Sequence, residues 1–220
     1  MATFVITGAN RGIGLELASQ VKARGDDVIA VCRKSSAELD KLGVRVEPGI
    51  DVSKGEDVAQ LAKRLAGVKI DVLINNAGIG VFEGLDALKF DAVARQFEVN
   101  AMGPLRVSTA LAPQIPAGGK IVIITSRMGS MADNGSGGYY GYRMSKAAVN
   151  AAGVSLAHDL REKKIAVALI HPGMVATDMT GKNGIAPADS VRGILARIDD
   201  LKLETSGRFQ HATTGEALPW

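Results

Sequence analysis

The chain has 220 residues, 46% hydrophobic and 22% charged, with a net charge of +3 and one cysteine, Cys32. A lone cysteine excludes a disulfide scaffold and a cysteine-based metal cluster, and no metal site is expected. The length suits one domain that buries roughly 70% of its unfolded-chain surface without staples. Basic residues are dispersed, and the run Arg161 to Lys164 reads as a solvated helix end, so nucleic acid is not an expected partner. No apolar run approaches the roughly 20 residues that span a bilayer, and MATFVITGAN opens directly as a strand. Neither a membrane nor a signal peptide is therefore expected, and the chain reads as soluble and cytoplasmic.

The first expected strand, Thr3–Ile6, runs into TGANRGIG and an expected helix over Gly12–Arg24. A glycine turn between strand and helix lets backbone N–H groups meet a pyrophosphate at the positive end of the helix dipole. The spacing of Gly8, Gly12 and Gly14 is G-x-x-x-G-x-G, not G-x-G-x-x-G. The second strand, Asp27–Val31, leads to Cys32, Arg33 and Lys34 with no carboxylate beside them. An acid at this point of a nucleotide-binding fold takes a ribose 2′-hydroxyl, whereas an arginine fork pairs a 2′-phosphate. Arg33, with Arg11 from the glycine turn, therefore points to NADP(H) over NAD(H). A third strand over Val44–Pro48 precedes Asp51-Val52, a helix over Glu56–Leu65 follows, and a fourth strand, Val72–Ile74, precedes Asn75–Gly78. Beyond these lie one long helix over Leu88–Leu111, a strand over Ile121–Thr125 ending near Ser126 and Ser130, and a helix over Gly141–Glu162. The chain closes with a strand over Ala166–Ile170, a helix over Ala188–Leu201 and a short strand near Arg208–Phe209. Strands such as VLI, IVII and VALI are apolar on both faces, as in a parallel sheet covered on both sides. The alternation predicts an α/β, single-domain, doubly wound Rossmann sheet of about seven parallel strands over residues 1–220, with function at the carboxyl ends of the strands.

Tyr142 and Lys146 are four apart, on one helix face. An ammonium beside a phenol favours the phenolate and should draw its pKa down from about 10, giving a usable general acid. With TGANRGIG, Asp51-Val52, NNAG at Asn75–Gly78, Y-R-M-S-K at Tyr142–Lys146 and HPGMVATDM at His171–Met179 in this order, the chain resembles the short-chain dehydrogenase/reductase family from its first strand to its last residues. The segment MGSMADNGSGGYYGYRMSK and the terminal GEALPW are most similar to its small carbonyl-reductase branch, with C-factor-like and sniffer-like members.

The resemblance implies a catalytic set of Asn100, Ser126, Tyr142 and Lys146: a serine that polarises the substrate carbonyl, a tyrosine that donates the proton, a lysine that also holds the nicotinamide ribose, and an asparagine whose main chain holds a relay water. A glycine three residues after the serine fits Ser126 with Gly129, not Ser130; the gap from Ser126 to Tyr142 is three residues longer than is usual, which places an insertion at DNGSGG. The implied NADP(H) contacts are Gly8, Asn10, Arg11, Gly12, Ile13 and Gly14 in the turn, Arg33, Asp51 toward the adenine amino group with Val52, and Asn76, Ala77 and Gly78 on the adenosine ribose. Tyr142, Lys146, Pro172, Gly173, Val175 and Thr177 complete the set at the nicotinamide. His171, which precedes Pro172, is read as an end-of-strand structural residue.

Only TGKNGIAP follows Thr177-Asp178-Met179, so the lid is short and the site open. Wall candidates Val81, Phe82, Met128, Met131, Tyr139, Met174 and Met179 are mostly apolar, which suits small or hydrophobic aldehydes and ketones. The alternative is an NADP(H)-binding signalling or stress sensor with little turnover; the intact catalytic set argues against it. Ala147, Ala148, Ala151, Ala152 and Val154 spread apolar surface around one helix, and monomer, homodimer and homotetramer stay open.

Overall fold

The computed structural model describes residues 1–220. Seven strands form one parallel sheet: β1 Thr3–Thr7, β2 Asp27–Val31, β3 Arg45–Glu47, β4 Val72–Asn75, β5 Lys120–Ile124, β6 Ala166–His171 and β7 Phe209–His211. Their order is β3-β2-β1-β4-β5-β6-β7, so the chain reverses direction across the sheet between β1 and β4. That switch point opens the crevice in which sheets of this kind bind ligands.

Apolar residues on both faces of each strand are explained by two cores. Phe4 and Ile6, Val72 and Ile74, Val122 and Ile124, and Ala168 and Ile170 face one core, where helices α1 Gly12–Ala23, α2 Ala37–Lys41 and α7 Pro187–Asp200 contribute Leu17, Leu39 and Ile194. Val5, Ile29, Leu73, Ile121 and Val167 face the other, closed by Leu61 of α3 Gly55–Arg64, Val107 of α5 Gly103–Leu111 and Leu160 beyond α6 Tyr140–Asp159. Each large side chain so buried contributes about 1.5–3 kcal/mol.

Two features differ from the sequence reading. Helix α2 is additional: Ser36 caps it by accepting from the Leu39 N–H at 3.2 Å. The helix expected over Leu88–Leu111 is three pieces, α4 Phe90–Phe97, a π-helical turn Glu98–Met102 and α5. Pro104 is the cause. It has no N–H to give the Asn100 carbonyl four residues earlier, and its ring would clash with that carbonyl, so the turn widens around Asn100. Gly103 lets the end of this turn pack against Val52, because a Cβ there would lie 2.9 Å from Val52 Cγ2.

Candidate active site

The carboxyl ends of β1, β2, β4, β5 and β6 meet at the switch point. After β1 the chain turns through Gly8 (φ +67°) and Gly12 (φ +54°), both in the left-handed region where glycine is unstrained. A Cβ on Gly8 would stand 2.8 Å from Ala77 Cα, and one on Gly14 2.2 Å from the Gly8 carbonyl oxygen and 2.6 Å from Asn76 Nδ2. Packing against the segment after β4 therefore demands these glycines before any ligand does. Asn76 completes the joint: Nδ2 donates to the carbonyls of Thr7 (3.0 Å) and Gly8 (3.2 Å). Thr7 Oγ1 accepts from the Asn76 and Ala77 N–H groups at 3.0 and 3.1 Å. The Asn76 amide thus rivets β1 to β4. Gly14→Ala should cost about 2 kcal/mol or more, because backbone and not a flexible side chain blocks the new methyl. A lowered urea midpoint with unchanged slope is the expected result, and a wild-type midpoint would show that the turn can give way.

Helix α1 has Arg11 at its N-cap and no side-chain cap. Its first N–H groups are left to solvent or to an anion, which fits a pyrophosphate over the turn. Half-buried Ile13 packs against the first core, and the Asn10 carbonyl accepts from Ser36 Oγ at 2.8 Å, which ties the start of α2 to the turn. Arg33 and Lys34 are exposed where β2 ends, while Cys32 is buried. Burial and the nearby Asp40 push the Cys32 thiol up, so it stays protonated. Arg11 is paired with an acid after β6: its Nη1 lies 3.7 Å from Asp178 Oδ2, both side chains being well exposed. Such a surface pair is worth about 1 kcal/mol or less and is readily exchanged for a phosphate.

Asp51 is already engaged. Its Oδ1 accepts from the Ser53 N–H (3.0 Å) and hydroxyl (2.6 Å), and its Oδ2 from Arg95 Nη2 (2.9 Å). Burial pushes the carboxyl up, but these bonds and the Arg95 charge outweigh it and hold the pKa at about 2. The carboxylate keeps unused lone pairs, so one further donor can be accommodated. Arg95 had no signal in the sequence beyond being one of many helix arginines.

Asn100, Ser126, Tyr142 and Lys146 are all buried and converge below this crevice. In the π turn, Asn100 Oδ1 accepts from the Ile79 N–H and Nδ2 donates to the Ile79 carbonyl, each at 2.9 Å, and Nδ2 also reaches Ser145 Oγ at 3.0 Å. Ser145 Oγ donates onward to the Tyr142 carbonyl at 2.8 Å. The Asn100 side chain is thus spent on holding the loop after β4, and the M-S-K serine, overlooked in the sequence, links it to α6. Ser126 caps a short 3-10 turn, Arg127–Gly129, its Oγ accepting from the Met128 N–H at 3.1 Å. A Cβ on Gly129 would come within 2.7 Å of the Lys146 carbonyl carbon, so the glycine lets this turn lie directly on α6. Ser130 caps a different turn, accepting from the Asp133 N–H at 3.1 Å.

The electrostatics correct one expectation. Burial pushes the Tyr142 phenol up, and a hydrogen bond with Ser126 pulls only partly against it. Lys146 does not draw the phenol down, because its Nζ donates to the Ile124 carbonyl (2.9 Å) and sits 5.8 Å from the centre of the Tyr142 ring. Burial lowers Lys146 itself to about 8. Desolvation, which the helix spacing cannot reveal, outweighs the pairing.

The segment after β6 closes the far side. The Pro172 carbonyl accepts from Ser190 Oγ at 2.7 Å, Gly173 takes φ +87°, and buried Val175 bridges to Ile185. A Cβ on Gly12 would meet Thr177 Cγ2 at 3.3 Å, so this segment and the glycine turn nearly touch. His171 lies in register with His211 on β7, ring centres 5.1 Å apart. Burial, then electrostatic repulsion from His211, Arg127 and Lys146, lower His171 to about 4, so it is neutral near pH 7. Of the wall candidates, Phe82 and Tyr139 gather at Tyr142, and Met179 Cγ approaches the same loop at Gly80.

The family model for short chain dehydrogenase matches residues 2–187. A 1-hydroxy-2-glutathionyl-2-methyl-3-butene dehydrogenase of a Rhodococcus species is 44% identical over 100% of both chains. The C-signal protein of Myxococcus xanthus is 48% identical over 69% of this chain and 93% of its own. The NADPH-bound carbonyl reductase from chicken fatty liver has a TM-score of 0.91 at 28% identity, covering 100% of this chain and 99% of that one. The chain belongs to the short-chain dehydrogenase family and is an oxidoreductase.

Proposed function

We propose that the chain is an NADPH-dependent carbonyl reductase for small or hydrophobic aldehydes and ketones, able to oxidise the corresponding alcohols in reverse, and that residues 1–220 act as one nucleotide-binding unit in the cytoplasm. The observation that carries this reading is a buried Tyr142 phenol beside Ser126, with Lys146 in the same pocket at the carboxyl edge of the sheet. NADPH, when bound, supplies the hydride. Tyr142 gives its proton to the carbonyl oxygen as charge builds there, and a raised phenol pKa keeps that proton in place at neutral pH. The Ser126 hydroxyl orients and polarises the same oxygen. Lys146 is charged below about 8, placing positive charge by the developing alkoxide and against the nicotinamide ribose. The uncapped start of α1 fits the pyrophosphate, and Arg33, aided by Arg11 once it leaves Asp178, fits the 2′-phosphate. The NADPH in the chicken enzyme and the hydroxyl substrate of the Rhodococcus relative support the cofactor and the chemistry. No helix is long and apolar enough to cross a membrane.

The test is NADPH consumption with a panel of aldehydes and ketones. Oxidation that depends on the carbonyl is expected; tight NADPH binding without turnover on any of them would favour the sensor. Arg33→Asp should raise the KM for NADPH by about tenfold or more through loss of a charge-assisted phosphate contact. An unchanged KM would remove Arg33 from the site.

A further inference from the structure

Helix α6 is entered through a left-handed turn. Gly137 and Gly138 have φ of +64° and +65°, and Tyr139 follows at +54°. Glycine adopts this conformation freely, whereas a bulky L-residue pays roughly 1–2 kcal/mol. Core packing does not repay that cost, since the Tyr139 side chain lies at the surface with 42% of the residue exposed. Its N–H donates to the Glu83 carbonyl at 3.0 Å and its carbonyl accepts the Arg143 N–H at 3.0 Å, so the backbone is held from both sides.

The ring has one ordered neighbour of note. Phe82 stands edge-on to Tyr139 (centroids 5.4 Å, 76°) and edge-on to Tyr142 (5.3 Å, 64°), giving a ladder Tyr139–Phe82–Tyr142. Phe82 is itself 43% exposed, yet its surroundings are stiff. A side chain on Gly80 would meet Phe82 Cζ at 2.7 Å. Asn100 pins the loop at Ile79, and Gln96, one helical turn earlier, pins it by accepting the Val81 N–H at 2.9 Å. The backbone on both sides of Gly80 is thus anchored, the Phe82 ring lies over Gly80, and Tyr139 stands edge-on to that ring.

We propose that Tyr139 is a positioning residue for the reaction: its ring clamps Phe82 against Tyr142 and so fixes the orientation of the proton-donating phenol. The clamp rests on the reading of Tyr142 as the donor. Edge-to-face pairs of this kind are worth about 0.5–1.5 kcal/mol each, enough to hold a ring in place but not to hold a fold together. The strain at Tyr139 is then the cost of orienting the reacting group.

Tyr139→Gly separates the two roles. It removes the ring and suits the left-handed backbone, so relief of strain offsets the added freedom of glycine and Tm should stay within about 2 °C. The expected result is a kcat about tenfold lower with KM for NADPH unchanged, and recovery to within about twofold in Tyr139→Phe, which keeps the ring. Phe82→Leu should lower kcat comparably, and the double variant should be no worse than Phe82→Leu alone, because both act through one contact chain. A Tyr139→Gly enzyme with wild-type kcat, a Tyr139→Phe enzyme as slow as Tyr139→Gly, or additive losses in the double variant would each overturn the clamp. Tyr142→Phe in the same assay keeps the two ideas apart. Near-normal turnover there, or a wild-type chain that reduces no carbonyl, removes the donor and the clamp with it; loss of turnover there with an unaffected Tyr139→Gly removes the clamp alone.

Discussion

Tyr142→Phe is expected to lower kcat for carbonyl reduction by roughly 10²–10⁴-fold, the range for removing a positioned proton donor. The change is confined to one oxygen. The ring that remains keeps its edge contact with Phe82 and its place under Lys146 Nζ. Ser126 loses the phenol but keeps the Met128 N–H as a donor to its oxygen, so no buried hydroxyl is orphaned. Stability should therefore move by less than about 1 kcal/mol, and the Kd for NADPH, read from nucleotide fluorescence, by less than about twofold. The split between a nearly intact Kd and a collapsed kcat identifies a group used far more in the transition state than in binding. Burial raises the phenol, so the wild-type donor stays protonated throughout the neutral range and gives no alkaline fall to the reduction profile there. Turnover of Tyr142→Phe within threefold of wild type would end the assignment.

The parts of the fold legible in the sequence are those governed by local pattern. Apolar runs such as Ile121–Ile124 and Val167–Ile170 predict strands buried on both faces, and they sit between the two cores. Tyr142 and Lys146 occupy one face of α6 as their spacing requires. What the sequence hides is set by distant contact or by solvent. The π turn follows from a proline meeting a carbonyl four residues back, a clash that the apolar periodicity of Leu88–Leu111 does not register. The demand for Gly14 comes first from the Gly8 carbonyl, which the turn folds back over it, and then from Asn76, sixty-two residues away in the chain. Arg11 turning to Asp178 and Asp51 being claimed by Arg95 are tertiary encounters that no spacing encodes. The direction of the Tyr142 pKa depends on how much water reaches the phenol, and α6 periodicity carries no information on that.

Lys146→Met is expected to abolish useful turnover and yet to stabilise the apoprotein near neutral pH. The Lys146 ammonium is buried, with a backbone carbonyl as its hydrogen-bond acceptor, and desolvation takes its pKa from 10.5 to about 8. That difference corresponds to a cost on the order of 3 kcal/mol for keeping the folded-state group charged. Between about pH 8 and 10.5 the unfolded chain binds the proton that the folded chain has lost, so wild-type stability gains with rising pH across that window, and the full cost applies below it. Methionine fills a similar volume without charge. It strands the Ile124 carbonyl, at about 1 kcal/mol, which leaves a net gain of about 1–2 kcal/mol at pH 7. For a chain of this size that is a rise in Tm of roughly 2–8 °C. Comparing the two proteins at pH 7 and pH 10 isolates the lysine, since every other titration is common to both: the variant should lead at pH 7 and lose that lead by pH 10. A variant that melts below wild type at pH 7 would mean that the ammonium holds the site together. A variant that melts higher while kcat falls by about 10²-fold or more would mean that the fold tolerates a destabilising charge because the reaction requires it beside the developing alkoxide.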